Sequence, residues 1–157
     1  MSKNLLILGG IIILVIIGFV VFRSEPGPAA PPSSGVKAPV ILSEQNNSGQ
    51  SGSALFTEEG GNAKVMVNLE NSPAGPQPAH IHVGSCATLG DVRYPLTSPE
   101  NGSSETTLNV SLAQLSSELP LAVNVHKSPA EAQVYVACGD ISADSLLSLD
   151  DSDTTQY

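Results

Sequence analysis

The sequence predicts an all-β domain, a β-sandwich or closed barrel, carried behind one N-terminal membrane-spanning helix. Three observations lead there. Turn-forming residues are abundant, with 14 Gly and 12 Pro in 157 residues, while aromatics are scarce and Trp is absent. Short apolar runs recur about every eight to twelve residues with turn chemistry between them. Outside one N-terminal stretch, no long segment carries the apolar period of a helix. The length accommodates one domain plus extensions.

That N-terminal stretch is Leu5 to Phe22, uncharged and largely aliphatic. As a helix it would extend about 27 Å, close to the hydrocarbon thickness of a bilayer. A cleaved signal peptide has a shorter apolar region, and the small pair Ala29-Ala30 runs straight into Pro31-Pro32, a poor cleavage context. Residues 1–23 are therefore read as an uncleaved anchor. Lys3 and the amino terminus favour a cytoplasmic N-terminus, with the remainder extracytoplasmic, although Arg23 on the other flank weakens the bias. Residues 24–37, rich in Pro, Gly and Ser, form a spacer.

Residues 38–142 are expected to make the β domain. Ala38–Leu42 reads as a first strand, followed by the polar turn Gln45–Gly49. Gly52–Thr57 is a second strand and Glu58–Asn62 its turn. Lys64–Leu69 alternates, with Val65, Val67 and Leu69 on one face of a half-buried strand. A stiff loop holding Pro73, Gly75, Pro76 and Pro78 then delivers the chain to the strand beginning at Ala79. Val92–Leu96 and Thr106–Leu112 are further strands, with a helical turn expected between Ser111 and Leu119. Leu121–His126 and Gln133–Ile141 complete the set. Residues 143–157, with Asp144, Asp150, Asp151 and Asp153, read as a frayed acidic tail that Leu146, Leu147 and Leu149 could dock loosely.

Fifteen acidic residues against six basic ones argue against binding nucleic acid or an anionic membrane surface. The chemistry-bearing residues gather in two segments. His80, His82 and Cys86 lie in the first, His126 and Cys138 in the second, and the chain has no other histidine or cysteine. Alternate residues of a strand share a face. Ala79, Ile81 and Val83 thus oppose His80 and His82, and Val123 and Val125 oppose Asn124 and His126. With the apolar parity toward the core, all three histidines fall on the outer face of the sheet. Three imidazoles meeting there suit Cu, Zn or Ni. The cysteines fit either two buried thiols or, in an extracytoplasmic domain, a disulfide. Asp91 and Asp140 are candidate carboxylate partners for a histidine. No Gly-rich phosphate loop or Gly-x-Ser-x-Gly elbow is present.

Several motifs in fixed order resemble the Cu/Zn superoxide dismutase-like domain. They are Ser51–Phe56, Lys64–Leu69, His80-Ile81-His82 after a Gly/Pro loop, Cys86 close behind, Val123–His126, and the closing run Val136–Ile141. The chordin-type CHRD domain is a close competitor, sharing the Ala79–His82, Tyr94–Leu96 and Val123–His126 style of motif. The resemblance covers roughly residues 40–141. It implies an antiparallel Greek-key β-barrel, copper on His80, His82 and His126, a Cys86–Cys138 disulfide, and superoxide as substrate. This chain departs from the family in two places. Only Ala87–Gly90 separate Cys86 from Asp91, and no histidine exists for a bridging or zinc-binding role. Tyr135 stands where the family has its active-site arginine, and Lys127 is the one cation beside the site. The expectation is copper without zinc, and weak or no dismutase activity. A non-enzymatic CHRD-like binding or structural domain at the cell surface is the alternative.

Overall fold

A computed structural model describes residues 37–147. The anchor expected at Leu5–Phe22, the spacer and the tail from residue 148 onward lie outside the described residues. Among the described residues no helix is long and apolar enough to cross a membrane.

Eight strands follow in chain order: β1 (Val40–Glu44), β2 (Ser51–Glu59), β3 (Asn62–Glu70), β4 (Ala79–Ser85), β5 (Thr88–Leu96), β6 (Ser103–Leu108), β7 (Leu121–His126) and β8 (Tyr135–Ile141). All pairings are antiparallel, in the order β5-β4-β7-β8-β1-β2-β3-β6. The short β1 joins the two halves of the sheet: Val40–Leu42 pair with β2, and Ser43 and Glu44 pair with β8. The chain crosses between the halves from β3 to β4, from β5 to β6, and again from β6 to β7. The sheet curls into a half-barrel around one apolar face, and Thr97 at the end of β5 donates its N–H to Thr106 Oγ1 on β6 (2.8 Å).

Alternation explains which side chains fill that curl. Val65 and Val67 on β3, Ala79 and Ile81 on β4, and Val123 and Val125 on β7 all belong to the core, with Phe56 and Leu42. Leu69 is only partly buried. Two short helices, α1 (Leu112–Ser117) and α2 (Ala143–Leu146), add Leu112, Leu115 and Leu146 to it. Ser111 caps α1 by accepting from the Gln114 N–H, which is why the strand expected to run through Leu112 stops at Leu108. Residues 143–147 are likewise not frayed. Ser142 caps α2, and Leu146 is 1 % exposed, whereas Leu147 is turned outward. At the C-terminal end of α1, the Glu118 carboxylate accepts from Arg93 Nε and Nη2 and from the Tyr94 hydroxyl. The guanidinium hydrogen bonds hold that carboxyl down to about 2, and the cluster fixes β5 against α1.

β5 begins at Thr88, ahead of the strand expected at Val92–Leu96. Gly84 has φ of +100°, where a side chain would also collide with the Thr88 carbonyl. The chain therefore reverses tightly at Cys86 and Ala87, and Thr88 and Leu89 pair back onto Ser85 and Gly84 of β4. Cys86 and Cys138 are disulfide-bonded with their Cα atoms 5.8 Å apart. Cys138 lies on β8, and β4 and β8 flank β7, so an uncurved sheet would hold them about 9.5 Å apart. The turn after β4 must accordingly bend over the outer face of β7. Cys86 N–H also donates to Asp140 Oδ1 (2.6 Å), beside the bridge. β7 is in consequence buried along its whole length, on both faces.

A candidate metal centre of three histidines

His80 and His82 sit on β4 and His126 ends β7, the two strands being neighbours with His80 opposite Asn124 and His82 opposite Ala122. Each histidine offers a ring nitrogen within 4.8 Å of those offered by the other two. Strand parity sets them on the face away from the core, but that face is not open to water. His82 and His126 are 5 % and 6 % exposed, and His80 is half-buried. Gly90 on β5 lies against His82, and Ala132 and Tyr135, around the start of β8, lie against His126. This cover depends on contacts between segments, which strand alternation does not encode.

Hydrogen bonds set the tautomers. His82 Nδ1 lies 2.9 Å from the Gly90 carbonyl, and His126 Nδ1 lies against the Ala132 carbonyl. A carbonyl can only accept, so both Nδ1 atoms carry the proton and both Nε2 atoms keep a lone pair. His82 Nε2 is buried without any partner. His126 Nε2 accepts at 3.0 Å from His80 Nδ1, whose proton would move to the other ring nitrogen for the pair to hold an ion. Two nitrogens bound to one ion at about 2.0–2.1 Å would subtend roughly 95° at that separation, a reasonable angle between neighbouring ligands. The donor set is thus His80 Nδ1, His82 Nε2 and His126 Nε2, each of the last two oriented by a backbone carbonyl, as metal-binding imidazoles commonly are. These residues fit a metal ion.

Gly90 and Ala132 are functional positions that side-chain reading does not find, because only their carbonyls act. Gly90 did leave a signal: an isolated glycine within a strand marks close backbone approach. A Cβ there would stand 3.0 Å from the Val83 carbonyl oxygen, so glycine lets β5 close on β4 next to the irregular pairing at His82. Gln77, fully buried, is a third such position. Its Nε2 donates to the carbonyls of His126 (3.3 Å) and Lys127 (3.4 Å), while its Oε1 accepts from Ser72 Oγ (2.6 Å). Pro78 accepts the His126 N–H (2.8 Å). The Pro/Gly loop is thereby clamped to the end of β7, which sets His80 against His126.

Burial pushes the His80 and His126 imidazoles below their ordinary range. The neighbouring histidines add to this, and the Ala132 carbonyl partly offsets it at His126. Both side chains therefore favour the neutral, ligating form. Neither Asp91 nor Asp140 meets a histidine; Asp140 serves Cys86 instead. The Tyr135 ring stands edge-on to His126, with centroids 5.1 Å apart. Lys127 Nζ is held 2.8 Å from Glu131 Oε1. No protein-family model matches this chain, and no curated protein or solved structure matches it either.

Proposed function

We propose that this is a copper-binding, superoxide dismutase-like Greek-key barrel domain, held outside the cytoplasm by the segment Leu5–Phe22, with weak dismutase activity or none. The observation that carries the reading is the donor set. Two imidazoles have Nδ1 committed to carbonyls, and their free Nε2 atoms converge with His80 Nδ1. Imidazole nitrogens without thiolate or carboxylate suit copper or zinc, and divalent copper binds such sites more tightly. The crossings between the sheet halves support a Greek key. The disulfide supports an oxidising compartment. Topology is tested by the amino terminus of the mature protein, which on this reading precedes Leu5.

Copper held there would supply one-electron exchange: one superoxide gives up an electron and leaves as O2, and a second takes it with two protons and leaves as H2O2. The chain's part is to hold His82 and His126 in fixed tautomers beside His80 and to keep those two rings from water. It does little to attract an anion. Tyr135 occupies the position of the family's arginine, and Lys127 is already paired with Glu131. These two features favour the second reading, a non-enzymatic binding module, possessing the metal site without the guidance of substrate.

The test uses the full-length chain purified in mild detergent. One copper per chain is expected, with no zinc required. His126→Ala should weaken binding by about 100-fold, because two imidazoles leave the ion mostly to water. Unchanged affinity in that variant would reject the three-histidine site. The rate of superoxide decay with copper loaded then separates enzyme from binding module.

A further inference from the structure

Asn124 is 0 % exposed, and neither Oδ1 nor Nδ2 has a hydrogen-bond partner. A buried primary amide left unpaired on both ends is costly and uncommon. Its position is informative. It lies directly across from His80 on one side and from Cys138 on the other. It shares the outer face of β7 with His126, two residues on, and His82 is its diagonal neighbour. Among the described residues five buried side-chain polar atoms lack partners, and three of them are the two Asn124 atoms and His82 Nε2. Two of these orphans, Asn124 Oδ1 and His82 Nε2, are lone-pair acceptors on one face, and a single cation would satisfy both.

We infer that Asn124 supplies the metal ion with a fourth ligand, its Oδ1, from the sheet side of the three imidazoles. The inference rests on the copper reading above. The amide oxygen carries available lone pairs, whereas the amide nitrogen is a donor, so Oδ1 is the ligating atom. The side chain is shorter than histidine and its Cα is paired with that of His80, which places its amide nearer the sheet than the ring nitrogens. Asn124 is fully buried, so its amide oxygen stands where solvent does not reach. A neutral oxygen is a harder ligand than imidazole and favours divalent over monovalent copper. The chain would thus compensate for the fourth histidine it lacks.

Asn124→Leu keeps the shape and removes both polar ends. In the metal-free protein it should raise the thermal midpoint, by about 4–8 °C for each unpaired group relieved. In the loaded protein it should weaken divalent copper binding at least tenfold and leave monovalent copper nearly unaffected. That equals an upward shift of about 59 mV in reduction potential per tenfold, with an altered hyperfine pattern in electron paramagnetic resonance. Asn124→Asp retains an oxygen ligand, should bind divalent copper at least as tightly as the parent, and serves if the leucine variant fails to fold. Divalent affinity and spectrum unchanged in Asn124→Leu, while His126→Ala loses the metal, would overturn this inference and leave the three-histidine site standing. Weaker binding in Asn124→Asp than in the parent would overturn it as well. Parent protein that takes up no copper would overturn both.

Discussion

Where its second nitrogen is held decides whether a histidine here can serve as a ligand. Gly90 and Ala132 fix the protons of His82 and His126 on Nδ1, and burial then keeps His80 and His126 neutral below the ordinary imidazole range. The sign of the pH dependence follows. Copper needs neutral rings, so affinity should stay flat from pH 8 down to about 6.5, the value of an exposed histidine, and fall only below it. In the metal-free protein the same two groups have folded values below their unfolded ones. The stability they contribute is present in full above about pH 6.5 and is lost as pH falls through the folded values. Competition titrations between pH 5 and 8 check the first part, and urea melts of the apoprotein the second. Affinity that already halves at pH 7 would contradict both. At this scale the three histidines and their common parity could be read from the sequence. Their burial, and the unpaired amide of Asn124 across from His80, could not, because strand parity alone would leave both on an open face.

At the scale of elements, the site depends on β4 and β7 meeting in one register. β4 is tied at its far end by the Cys86–Cys138 bridge and at its near end by Gln77. Closing a loop of this length contributes roughly 4 kcal/mol in the chain-entropy model. Gln77 is the less obvious fastening. Gln77→Ala should cost on the order of 1–3 kcal/mol, since it leaves the buried His126 carbonyl without this donor, and should weaken copper binding by loosening His80 against His126. Urea midpoints and copper competition measure the two effects, and unaltered values would show that the Pro/Gly loop holds itself. The alternation of Val65 and Val67, or of Val123 and Val125, made β3 and β7 legible. The start of β5 at Thr88 was not, because Thr88 and Leu89 reach β4 only through the left-handed Gly84. Likewise, β6 ends early because Ser111 begins a helix, a local capping choice that overrides the apolar pattern through Leu112.

For the whole molecule the question is whether an anion can reach the site. The chain carries a formal net charge of −9, so its long-range field opposes superoxide. Salt screens that repulsion, and any superoxide decay rate of the copper-loaded protein should rise with ionic strength, the opposite of electrostatically guided capture. Beside His126 in the chain, Lys127 is paired with Glu131 at 2.8 Å. Glu131→Gln removes that counter-charge and leaves the lysine available. One unit of charge roughly 8 Å from a bound anion in water changes its binding by about twofold, so a modest effect is expected rather than a restored enzyme. Azide gives a readout that does not require turnover, because its affinity for the loaded site can be followed optically. In 10 mM buffer, Glu131→Gln should bind azide about twice as tightly as the parent, and the advantage should shrink as salt reaches 0.5 M. No difference at low salt would mean that the Lys127 charge is not felt at the histidine face. The low activity expected of this domain would then have to arise from the cover over His82 and His126 rather than from charge.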